Sequence, residues 1–313
     1  MPRPVPIVLA LLVVQAALVL LFVMPARTPT PHGLPVGVVG PASALQAQGL
    51  AVRSFPDGDA ARRAIREREV YGALAPAEGR VLVASAASPV VAQQLRELGA
   101  GAAGGAASAP RIEDVVPLAS GDPRGATLNL LFLPLMIACF PLAIVLGRMR
   151  LPRGRMLASV LAFAALGGLA LTALLQAMDA LPGPYVVVSG VAALVVAAVG
   201  LTAAGLVRVL GPAGLGVAAL LFIVLGNPGS GNASAPELLP GFWRVTGQLL
   251  PPGAGGQALR DVAYFDGHAL LAPALVLAVW AALGAALVLL GRRRAPQPAV
   301  PAVAPEPWIA VPA

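Results

Sequence analysis

The stretch 227–268 brings together several reactive side chains: Ser230, Ser234, Glu237, Asp261, Asp266 and His268. Together these types could supply a nucleophile, a base and a carboxylate for hydrolysis, yet their spacing matches no catalytic pattern. The remaining repertoire is narrow. Cys139 is the one cysteine and lies in an apolar run, so neither an internal disulfide nor a Cys-rich metal site can form. Two histidines, His32 and His268, are too few for a histidine metal cluster. All 21 basic residues are arginine, which removes lysine chemistry altogether. No Walker A loop and no Schiff-base centre has a candidate residue. No catalytic, cofactor-binding or metal-binding residue is therefore assigned, and no enzymatic activity is expected.

The elements that would have to position such residues are mostly apolar. Of 313 residues 58% are hydrophobic and 11% charged, against about 45–50% and 25% in soluble domains. The formal charge of +7 does not point to nucleic acid, because the arginines are dispersed or border apolar runs.

Five apolar runs reach the roughly 20 residues a bilayer requires, at 5–24, 128–146, 156–178, 185–207 and 269–290. A sixth, 214–226, is shorter, bounded by Pro212 and Asn227-Pro228-Gly229; it reads as a tilted span or as a half-helix that turns back. Arginine sets the orientation, since short loops rich in Lys or Arg stay in the cytoplasm. Arg3, Arg148, Arg150, Arg153, Arg155, Arg208 and Arg292 to Arg294 all fall on one face if all six runs cross. Omitting the short run would strand the last cluster outside. The first run is expected to be an uncleaved anchor, because Val23-Met24-Pro25-Ala26 gives no A-x-A cleavage site. The expected protein is an α-helical polytopic membrane protein with six transmembrane helices, both termini in the cytoplasm and a small extracytoplasmic α/β domain between the first and second helices. Its parts are an anchor at 1–26, the external domain at 27–125, a five-helix domain at 126–294 and a disordered proline-rich tail at 295–313.

Within 27–125, strands are expected at 36–40, 51–55, 70–75, 80–85 and 112–118, with helices at 42–50, 57–68 and 89–98. Asp57 is the expected N-cap of the second helix, whose apolar stripe is Ala60, Ala61, Ala64 and Ile65. Alternating strand and helix favours a sheet of parallel character. The Gly/Ala run 99–110 reads as a flexible connection.

The outer segment 227–268 carries Leu238, Phe242, Val245 and Leu249 at helical spacing, with Trp243 beside them. Pro240-Gly241 confines a regular helix to the residues C-terminal to it, Pro251-Pro252-Gly253 breaks that helix, and 257–265 forms a second short helix. Two helices dipping into the outer membrane interface are expected, or an amphipathic loop packed on the external domain. Asp122 and Arg124 stand where the chain enters the second span and could pair with each other or meet a polar substrate. The knuckle Arg148 to Arg155 serves topology or docks a cytoplasmic partner. The spans contain no Asp or Glu, which argues against a carboxylate proton relay.

This layout resembles the permease subunits of ABC-2 type exporters, and within them the Pip-like (phage infection protein) branch of actinobacteria. The resemblance is carried by Asp122-Pro123-Arg124-Gly125, by Gly226-Asn227-Pro228, by Ser234-Ala235-Pro236-Glu237-Leu238-Leu239-Pro240 and by Leu249-Leu250-Pro251-Pro252-Gly253-Ala254-Gly255. It implies a permease of the plasma membrane, working as a homodimer or with a half-transporter partner. It further implies a separate P-loop ATPase that alone binds ATP and docks on Arg148, Arg150, Arg153 and Arg155. The exported substrate would be lipidic, peptidic or drug-like. The competing expectation is a non-transporting scaffold or receptor whose external domain binds a cell-surface or secreted partner.

Overall fold

The computed structural model describes residues 4–27, 30–41, 49–102, 109–149 and 151–291. Two bodies are joined end to end. Six helices are long and apolar enough to cross a membrane, and a five-stranded sheet domain sits at one end of them.

The sheet contains β1 (Leu34–Val39), β2 (Leu50–Phe55), β3 (Gly72–Ala75), β4 (Arg80–Val83) and β5 (Arg111–Asp114), in the order β2-β1-β3-β4-β5. β1 pairs in parallel with β2 and β3, and β4 with β5, while β3 and β4 form an antiparallel hairpin. The parallel character expected from the alternation is thus present but interrupted once. α2 (Gly58–Arg66) begins as the sequence indicates, with the Asp57 carboxylate accepting from the Ala60 N–H at 2.7 Å. It buries Ala61, Ala64 and Ile65. Arg62, on the same helix, reaches β5 and donates twice to Glu113, at 2.7 and 3.0 Å. α3 (Pro89–Ala102) runs into the Gly/Ala stretch that composition alone marks as a connection. The helix expected at 42–50 lies almost wholly outside the described residues; Leu50 itself opens β2.

The six candidate spans are α1 (Pro4–Arg27), α4 (Thr127–Arg148), α5 (Arg153–Ala177), α6 (Tyr185–Leu210), a composite fifth, and α11 (Leu271–Leu290). The fifth comprises α7 (Pro212–Ala219), a π-helical stretch Leu220–Gly226 and α8 (Asn227–Gly229). Over Pro212–Gly229 it runs as 18 helical residues and does not turn back. Pro212 at its first turn sacrifices no intrahelical hydrogen bond, so the helix starts earlier than the apolar run.

α6 is the hub, with Val188 to Gly205 largely buried against α4, α5 and α11. Close crossing rests on small residues: a Cβ on Gly284 would collide with the α6 backbone at Leu201 and Thr202. Small residues at a helix crossing let the backbones approach to contact distance, which maximises van der Waals packing between them. The Thr202 hydroxyl donates to the Trp280 carbonyl across the same seam at 3.1 Å. α1 stands beside the bundle with its apolar side chains exposed, touching α8 and the π-helical stretch.

The two ends differ in chemistry. At one, Gly121 N–H donates to the Asp179 carbonyl at 2.9 Å and the sheet domain is attached. At the other lie Arg148, Arg153, Arg155 and Arg208, and Arg208 Nε donates to the Gly291 carbonyl at 3.3 Å.

Candidate functional site

The segment after α8 makes the joint between sheet domain and bundle. A short turn at Pro236–Leu238 leads to α9 (Gly241–Gln248) and then to α10 (Pro251–Tyr264). Here the structure departs from the sequence expectation. α9 does end before Pro251-Pro252-Gly253, but the second helix starts at this tripeptide and not at residue 257, because prolines at the first helical positions lack only N–H groups that have no helical partner anyway. α10 is also not an interfacial helix. Apart from Gln257 every residue from Pro251 to Ala263 is buried, against α6, α11, α4, α9 and the sheet domain.

Burying α10 buries its charges. Arg260 is 3% exposed and Asp261 1%. Asp261 accepts a hydrogen bond from Arg68 Nη1, and Arg68 Nη2 donates to Gln257 Oε1 at 3.0 Å. The Arg68 guanidinium also stacks 5.0 Å over the Phe265 ring. Arg68 comes from the sheet domain, just past α2, where its backbone takes the left-handed conformation (φ 58°) that L residues seldom adopt. That turn aims the side chain away from the sheet and into α10. Arg260 donates to the Asn232 carbonyl at 3.2 Å, and Asn232 Nδ2 donates to the Pro252 carbonyl at 3.0 Å.

A second set of bonds runs parallel. The Tyr71 hydroxyl donates to Glu237 at 2.8 Å, His32 N–H donates to the Glu237 carbonyl at 2.9 Å, and Arg244 donates to the His32 carbonyl at 2.6 Å. Apolar contact completes the joint: Ala235, Leu238 and Phe265 belong to the sheet domain's hydrophobic core. Residues 27–125 alone therefore do not close that core.

Between these groups lies a cleft of about 320 Å³, lined by Arg68, Tyr71, Glu237, Arg244, Gln257 and Asp261 among others. Burial pushes the Asp261 carboxyl above the usual carboxylate range, while Arg68 and Arg260 pull it back. Burial, followed by repulsion from Arg68, draws Arg260 down to about 10. Burial and the neighbouring Glu237 charge raise the Tyr71 hydroxyl. Each acid in the cleft already has a hydrogen-bond donor, so the arrangement acts as an ionic clamp. Ser230 donates to the Asn227 carbonyl at 2.8 Å, and His268 Nδ1 lies 2.6 Å from the Phe265 carbonyl, so these two side chains are engaged with the backbone. Among the described residues no three His, Cys, Asp or Glu side chains gather as a metal site.

The other residues singled out in the sequence separate. Asp122 is buried and caps α4, accepting from Ala126 and Thr127 N–H at 2.9 and 2.8 Å; Arg124 is exposed and no salt bridge joins the two. Leu238 is in the core, Trp243 is half-buried beside Gly229, and Phe242 and Val245 on α9 form an exposed apolar stripe with Leu249 just past its end. α9 alone thus presents the amphipathic character expected of the whole segment. Arg148, Arg153 and Arg155 are exposed at the far end, and Arg150 lies outside the described residues. Sequence reasoning misses Arg68, Gln257 and Arg260. The adjacent charges Arg260-Asp261 inside a Gly/Ala-rich stretch are the signal that could have found them. Compared with known proteins, the chain matches no family model, no curated protein and no solved structure.

Proposed function

We propose that the chain is the permease subunit of an exporter similar to the ABC-2 type, moving a lipidic, peptidic or drug-like substrate outward while a separate P-loop ATPase supplies the energy. The supporting observation is the clamp between Arg68 and Asp261. It fastens the sheet domain to α10, which is itself packed on the hub helix α6. A movement of the bundle is thereby transmitted to the outer domain, as export across the outer face requires. In this reading the arginine end faces the cytoplasm of a plasma-membrane protein, and exposed Arg148, Arg153 and Arg155 with Arg150 form the ATPase dock. A second copy or a half-transporter completes the pathway. The chain itself needs no cofactor.

A receptor that does not transport is favoured by one different observation. The sheet domain has an apolar cavity of about 760 Å³ bounded by Leu34, Val36, Leu50, Val91, Leu95 and Leu98, within the size range of ligand sites.

Crosslinking in native membranes, purification, mass spectrometry and an ATPase assay separate the two. A stoichiometric P-loop ATPase that is lost when Arg148, Arg150, Arg153 and Arg155 are changed to Ala supports the exporter. Recovery of a secreted or cell-surface protein and no ATPase supports the receptor.

A further inference from the structure

At the arginine end, α4, α5, α6 and α7 enclose a cavity of about 290 Å³. Its apolar wall is Ile144, Met156, Val207 and Leu215, and its charge comes from Arg148 at the end of α4 and Arg208 near the end of α6. Among the described residues none that is acidic lines it, and the sequence contains no acid between Asp122 and Asp179 or between Asp179 and Glu237. Two arginines thus line one largely apolar recess. Arg208 is anchored from behind by its bond to the Gly291 carbonyl and by Met156 Sδ at 4.0 Å, which holds it in place at the rim.

We propose that this cavity binds the phosphate of an anionic glycerophospholipid. Three features select a lipid. The cavity opens where the apolar helices end, the depth at which headgroup phosphates lie. Arginine presents planar donors that match phosphate oxygens, and basic recesses between spanning helices are suited to acidic headgroups. The helices that flank the opening also carry exposed apolar side chains: Val145 and Met149 on and after α4, Val217 and Leu220 on and after α7. Acyl chains can lie along these surfaces while the headgroup enters between Arg148 and Arg208. The inference depends on the helices spanning a membrane and not on the exporter reading.

The test uses the full chain purified in mild detergent doped with equal amounts of phosphatidylglycerol and phosphatidylcholine, with mass spectrometry of the lipid retained per protein. The expected result is severalfold enrichment of phosphatidylglycerol, falling to near parity in Arg148→Gln/Arg208→Gln. The same loss of charge in Arg153→Gln/Arg155→Gln, outside the cavity, is expected to leave the enrichment in place. Should the double variant fail to fold, Arg148→Gln alone, an exposed position, is expected to reduce enrichment at least twofold. Adding inorganic phosphate at millimolar concentration is expected to displace no lipid. Equal retention of both lipids by the parent protein would overturn the proposal, as would equal losses in the two double variants, which indicate diffuse surface charge. Displacement by inorganic phosphate would also overturn it, assigning the cavity to a soluble phosphate compound.

Discussion

Arg68 and Asp261 lie 193 residues apart in sequence and form an ion pair, fully buried on the Asp261 side and partly buried on the Arg68 side, between the sheet domain and helix α10. The pair is the ionic tie among several contacts that join the two bodies. Asp261 is enclosed by helices of the bundle side, Arg68 enters from a strained turn of the sheet domain, and Phe265 and Gln257 hold the guanidinium between them.

Removing one member leaves the other charge buried without its partner. Arg68→Met or Asp261→Leu alone is expected to lower stability by about 3–5 kcal/mol, read as a fall in the melting temperature of the detergent-purified protein. The double variant is expected to recover most of the loss, because an apolar pair can fill the same space. Additive losses in the double variant would show that the two residues act independently.

The sheet has its own ionic network. Glu113 on β5 accepts from Arg62 on α2 and from Arg80 on β4, the latter at 2.5 Å. Chiefly through the Arg62 bond, opposed by burial, its carboxyl is lowered to about 2. A carboxyl lowered on folding contributes stability that is complete above its unfolded value near 4.5 and is lost as pH falls toward 2. Hydrogen exchange at β4 and β5, corrected for intrinsic rate, is expected to accelerate across that window. In Glu113→Gln exchange is expected to be faster at neutral pH and to lose this acid dependence. Because Glu113 is partly exposed, the effect is expected to be modest.

Close backbone contact joins α8 to α9. A Cβ on Gly247 would fall on the Gly229 carbonyl oxygen. Gly247→Ala therefore has to push α9 off α8, at a cost of about 1–3 kcal/mol. Gly241→Ala at the start of the same helix meets nothing within 4 Å, and is expected to be neutral or stabilising by up to about 1 kcal/mol. Thermal unfolding of the two variants checks the contrast.

Much of the architecture is legible in the sequence because the strongest forces leave periodic or continuous patterns. Five spans appear as unbroken apolar runs, and β1, β2 and the Asp57 cap of α2 fall where alternation and capping chemistry place them. α10 is hidden for a physical reason. Its Gly/Ala-rich, Pro-initiated sequence lacks an apolar stripe, since a helix buried on nearly every side has no polar face to mark. The fifth span reads short because Pro212 and Asn227-Pro228-Gly229, usual boundary signals, are absorbed into its ends. The clamp itself is not legible. The partnership of Arg68 with Asp261 is set by the docking of two bodies, and no local pattern encodes it.

In the proposed orientation the sheet domain and α10 lie outside the cell while the arginine end lies inside. Cysteine accessibility in a Cys139→Ser background tests it directly, with single cysteines at Glu67→Cys on the sheet domain and Gly154→Cys beside Arg153 and Arg155, both exposed positions. The expected result is that a membrane-impermeant maleimide labels Glu67→Cys in intact cells and Gly154→Cys only after the membrane is opened. The reverse pattern, with Gly154→Cys labelled in intact cells and Glu67→Cys protected, would place the sheet domain in the cytoplasm and contradict the account.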